Sequence, residues 1–70
     1  MWIYCMNDIE IECESMEKWE VNPNFLLLQN CNIQKKITSK KGIAKIILNQ
    51  NQVIAMGEER LGWHELQRIR

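Results

Sequence analysis

Glycine is scarce in this chain, and its three glycines, Gly42, Gly57 and Gly62, stand apart from one another. Isolated glycines cannot build the backbone cradle that holds a phosphate, so the sequence offers no nucleotide-binding loop. Histidine is scarcer still, with His64 alone. One imidazole without a motif to orient it leaves a nucleophilic or acid-base site short of its usual parts. Long apolar runs are missing as well. Met1 to Met6 and Phe25 to Leu28 fall far short of the roughly 18 residues that suggest a membrane span. The cysteines Cys5, Cys13 and Cys31 are an odd count, and the apolar start runs straight into Asp8, Glu10 and Glu12, unlike a secretory leader. These features predict a soluble chain in a reducing, cytoplasmic setting, without a disulfide framework.

What is present is ordinary for a globular chain: 46% of the 70 residues are hydrophobic and 26% are charged. A chain this short buries only about 60% of the surface that its unfolded form exposes, so residues 1–70 read as one small domain. A core of this size supplies roughly 3 to 5 kcal/mol, and self-association is the supplement the sequence favours.

Periodicity points to a mostly β protein, a small antiparallel meander or barrel of six to seven short strands with a short C-terminal helix. Ile9, Ile11 and Cys13 alternate with Glu10, Glu12 and Glu14, the pattern of a half-buried strand. With Asn7-Asp8 as a two-residue hairpin turn, Met6 would face Ile9, Tyr4 would face Ile11 and Trp2 would face Cys13. Trp19-Glu20-Val21 reads as a short strand before the break at Asn22-Pro23-Asn24. A second hairpin would join Phe25 to Gln29 with Ile33 to Thr38 through Asn30-Cys31-Asn32. Ser39 to Gly42 would turn the chain into a third, of Ile43 to Leu48 and Val53 to Met56 around Asn49 to Gln52. Two segments, Leu26 to Ile33 and Ile46 to Val53, share an order of aliphatics and amides and read as similar hairpins. Past Gly57 the period becomes helical: Glu58 and Glu59 open, Leu61, Glu65, Leu66 and Ile69 recur, and Arg68 and Arg70 close.

Three constellations bear on chemistry. Cys5, Cys13, Cys31 and His64 have the composition of a structural zinc site but lack its close-paired spacing, and the expected hairpin register puts Cys5 and Cys13 on opposite faces. A cysteine nucleophile activated by His64 has no supporting motif. Glu10, Glu12 and Glu14 form a row along one strand face, which a solvated outer face explains without a cation. The expectation is therefore no enzyme, no metal and no cofactor.

Charge is distributed unevenly. Residues 1–20 carry six acids against Lys18, while residues 21–57 carry Lys35, Lys36, Lys40, Lys41 and Lys45 and no acid. Such blocks either pair within the fold or form a surface for phosphates. No aromatic residue lies among these lysines to stack on bases, which places RNA or single-stranded DNA second. The favoured expectation is a non-catalytic protein-interaction module, a small regulator or inhibitor. Its partner surface would include Trp63, His64, Ile43 and Ile47, and a second copy would cover the strand Ile43 to Leu48, which is apolar on both faces.

Overall fold

The computed structural model describes residues 1–35 and 38–60. They form five antiparallel strands: β1 (Trp2–Cys5), β2 (Ile9–Lys18), β3 (Phe25–Lys35), β4 (Thr38–Asn49) and β5 (Val53–Gly57). Their order across the single sheet is β4-β3-β2-β1-β5, with no hydrogen-bonded pairing of β4 to β5 to close it as a barrel. The strands are fewer and longer than the turn signals predict. Asn30-Cys31-Asn32 lies inside β3, and Ser39 to Gly42 lies inside β4, so neither is a turn. The two similar segments are not hairpins: the first is internal to β3, and the second spans the end of β4, a 3-10 turn at Gln50–Gln52 and the start of β5. β2 ends at Lys18, ahead of the expected strand at Trp19-Glu20-Val21. Glu58 and Glu59 form a bend and Arg60 is irregular, so the expected helix does not begin there, and its residues 61–70 lie outside the described residues.

Between β1 and β2, Asn7 and Asp8 adopt positive φ of 64° and 59°, as the composition of the turn anticipates. Met6 joins them in a three-residue 3-10 turn, however, and this one extra residue shifts the register. The pairs are Trp2 with Glu12, Ile3 with Ile11, Tyr4 with Glu10, and Cys5 with Ile9. Because side chains alternate with period two, the shift moves Trp2 and Tyr4 onto the acidic face and puts Ile3 and Cys5 with Ile9, Ile11 and Cys13. Cys5 and Cys13 therefore share a face, contrary to the expectation from a two-residue turn.

The core forms because the three long strands change the parity of their apolar positions along one line. In β2 the core positions run Ile9, Ile11, Cys13 and then Met16; in β3, Ile33, Cys31 and then Leu28, Leu26; in β4, Ile43 and then Ile46, Leu48. These are in register, Cys13 with Cys31 and Ile43 on one side of the line and Met16 with Leu28 and Ile46 on the other. At the centre of the line stands Asn30, with φ 54°. A residue in this region bends a strand and re-aims the side chains beyond it, and asparagine tolerates it better than most residues with a Cβ. Asn30 Nδ2 also donates to Glu14 Oε2 at 2.8 Å, fastening β2 to the bend.

Chain length shows how far the sheet folds. Asn49 pairs with Phe25 beyond the Lys18 end of β2, whereas Val53 pairs with Cys5, which pairs with Ile9 at its start. On a straight β2 these ends would lie about 30 Å apart. Four residue steps from Asn49 to Val53 reach at most about 14 Å, so one half of the sheet must lie over the other. Bends of this kind let a single strand serve two packed layers. Ile3, Cys5, Ile11, Cys13, Leu26, Leu28 and Cys31 fill the interior as one buried cluster.

Cys31 is 0% exposed in that cluster, which has a direct consequence. Cys31→Ser is expected to lower stability by about 1 to 3 kcal/mol, because the hydroxyl would be buried among apolar groups without a partner. Urea denaturation checks this, and an unchanged midpoint would return Cys31 to an exposed turn.

Candidate functional site

β4 is an edge strand of twelve residues, and its two halves differ. In the first half, Ile33 pairs with Lys40 whereas Cys31 pairs with Ile43, so Asn32 faces both Lys41 and Gly42 across a β-bulge. Gly42 takes φ 72°, a conformation that favours glycine, and its N–H donates to Asn32 Oδ1 at 3.0 Å. Asn32 Nδ2 in turn donates to Glu12 Oε1 at 3.2 Å, so one amide ties β4 to β2 across β3. A bulge and charged side chains are the devices by which sheet edges resist pairing with another chain. They occupy this half, where Lys40 and Lys41 are exposed.

The second half carries Ile43, Ile46, Ile47 and Leu48 with Lys45 as its one charge. Ile43 is half-buried against the core, while Ile47 is 42% exposed and points outward. Of the residues the sequence singled out for a protein partner, these two lie on β4; Trp63 and His64 lie outside the described residues. Among the lysines, Lys35, Lys40, Lys41 and Lys45 are exposed, and Lys36 lies outside the described residues.

The expected pairing of the lysine block with the acidic strand is not what the register produces. β3 stands between β2 and β4. Glu14 and Glu12 accept from the amides of Asn30 and Asn32 instead. Nor is the acidic row evenly solvated, because Glu10 is only 3% exposed. Arg60, just past β5, brings its Nε to 2.8 Å from Glu10 Oε1, an ion-pair approach whose N–H is not aimed well enough to count as a hydrogen bond. The same guanidinium lies over the ring of Trp2, 5.5 Å from its centroid. Beside these groups opens a cleft of ≈ 200 Å³ whose lining includes Trp2, Glu10, Glu12, Asn32, Gln34 and Lys41. Sequence reasoning missed this cluster because it assigned Trp2 to the other face; the signal was the length of one turn.

The thiols are poorly placed for nucleophilic chemistry. Burial pushes Cys5 up to about 11 from an ordinary 9.0, and burial also raises Cys13 and Cys31. The thiolate is the reactive form, so each is held in its inert state near neutral pH. Among the described residues, no three histidine, cysteine, aspartate or glutamate side chains are grouped so as to hold a metal ion. No helix among them is long and apolar enough to cross a membrane. Comparison with known protein families, characterised proteins and solved structures gives no match to the chain.

Proposed function

We propose that this protein is a non-catalytic interaction module, a small regulator or inhibitor, that associates by strand addition along the Ile43 to Leu48 half of β4. The observation that carries the reading is the contrast along one edge: the bulge and paired lysines guard residues 38–42, and no such device guards residues 46–48. An open edge supplies main-chain hydrogen bonds, and outward side chains such as Ile47 supply selectivity. The occupant is a second copy of the chain, since an isologous pair of β4 strands covers the same segment on both partners at once. The burial and raised pKa of all three thiols support a role without catalysis. Free thiols also suit a reducing, cytoplasmic compartment. Sedimentation equilibrium at tens of micromolar tests the reading: dimer mass supports it, and monomer mass alone rejects it.

A second reading has its own observation. Lys40, Lys41 and Lys45 lie on one exposed strand, none within ion-pair distance of an acid among the described residues. Such a strip would suit the phosphates of RNA or single-stranded DNA. Trp2, which shares a cleft with Lys41, already carries the Arg60 guanidinium over its ring, so the expected outcome is weak, non-specific binding. Lys40→Gln with Lys41→Gln should change stability by less than about 0.5 kcal/mol. Binding of a short oligonucleotide near physiological salt, measured by fluorescence anisotropy, should stay weaker than about 1 μM for both proteins. A tighter complex that the double variant loses would make the nucleic-acid reading the correct one.

A further inference from the structure

We propose that the cleft beside Trp2 is a recognition site for an arginine side chain of a protein partner, and that Arg60, which contacts Glu10 and Trp2 at its margin, is a stand-in in cis for that ligand. The proposal concerns a second surface and holds whether or not β4 accepts a strand.

Glu10 is almost wholly enclosed. A carboxylate that is 3% exposed requires a cation beside it, because an unpaired charge taken out of water is costly. Arg60 supplies that cation poorly. Its side chain is 54% exposed, it sits in the irregular stretch after β5, and its Nε approaches at 2.8 Å without aligning the N–H. What it does show is which chemistry the cluster accepts. The guanidinium carbon lies 5.5 Å from the Trp2 ring centroid while Nε faces a carboxylate, a combination of cation–π contact and directed N–H groups that the planar fork of arginine suits better than the point charge of lysine.

The neighbouring cleft extends the same chemistry. Glu12 lines it together with Glu10, and Glu12 presents a second carboxylate held in place by Asn32 Nδ2. Asn32 and Gln34 add amide groups, and Lys41 is the one cation among the lining residues. Two carboxylates beside an indole select against anions and favour a planar cation whose N–H donors form a fixed fork, so that its edge can reach both acids while its face meets the indole. At ≈ 200 Å³ the cleft accommodates a side chain rather than a whole small-molecule cofactor. A ligand arginine would take over the contacts that Arg60 makes imperfectly, add Glu12, and release Arg60 to solvent. A tethered group competes at an effective concentration in the millimolar range, so Arg60 weakens the site without abolishing it.

The test titrates N-acetyl-arginine amide and N-acetyl-lysine amide into the wild-type chain and into Arg60→Ala and Arg60→Lys, following backbone amide shifts of Trp2, Glu10 and Glu12 by NMR. Removing the competitor should tighten binding of the arginine probe at least ten-fold in Arg60→Ala, with the lysine probe at least five-fold weaker. Adding Glu12→Gln to that variant should reduce arginine binding at least ten-fold. Arg60→Ala leaves Glu10 without its cation; if that variant does not fold, Arg60→Lys decides, because it keeps the charge and lacks the planar fork. It should then bind the arginine probe more tightly than the wild type. The absence of saturable binding in the folded variant, or equal affinity for the two probes, would overturn the proposal and leave Arg60 as a structural partner of Glu10.

Discussion

Leu28→Ala is expected to unfold the protein or leave it barely folded at 25 °C. Leu28 is 0% exposed and sits on the line where β2, β3 and β4 bend, with Met16 and Ile46 as its partners in register. Replacing a buried leucine by alanine costs about 2 to 5 kcal/mol, the lost transfer energy plus the cavity left behind. A core in a chain of this size supplies only roughly 3 to 5 kcal/mol, so the loss is comparable to the whole margin. Urea denaturation followed by circular dichroism measures it, with exposed Lys45→Ala as the control expected within about 0.5 kcal/mol. A loss below about 1 kcal/mol would mean that the two halves of the sheet do not pack at this point.

If β4 pairs with a second copy as proposed, Ile47→Glu is expected to shift dimer toward monomer while leaving the subunit folded. The side chain is 42% exposed within one chain, so a carboxylate there stays hydrated in the monomer. Once a second β4 lies alongside, the carboxylate of each copy replaces an apolar cross-strand contact, and the symmetry doubles the loss. Each such contact is worth up to about 1 kcal/mol. At about 1.4 kcal/mol per factor of ten, association weakens by about ten-fold. Sedimentation should show the change of mass with an unaltered far-ultraviolet spectrum. A variant that stays dimeric would move the contact away from the outward face of this half of β4, and one that unfolds would show that Ile47 belongs to the core.

Much of the β character was legible in the residues. The alternation from Ile9 to Glu14 is a strand with one buried face, and Asn7-Asp8 is a turn with positive φ at both residues. The apolar stretch from Ile43 to Leu48 lies in a strand that reaches solvent on its free edge. Two of the errors share one cause. Asparagine and glycine mark positive φ whether the chain reverses or only bulges, so Asn30 and Gly42 read as turns although both lie within strands. Local composition records the backbone conformation of one residue; whether a neighbouring strand continues past it is a non-local matter.

By itself, then, the sequence determined that the chain is mostly extended and that the lysines and acids fall in separate blocks, because these follow from residue type and period. Tertiary structure alone decided the rest. The three-residue turn at Met6–Asp8 set the face on which Trp2 and Tyr4 lie, since one residue more or less inverts every side chain of a strand. The short span from Asn49 to Val53 folded the sheet over itself and sent β5 to the side of β1 instead of β4. That placement put Arg60, distant in sequence, against Glu10 and Trp2. No local pattern encodes such a meeting, because it depends on the path of the whole chain and not on the preference of any segment.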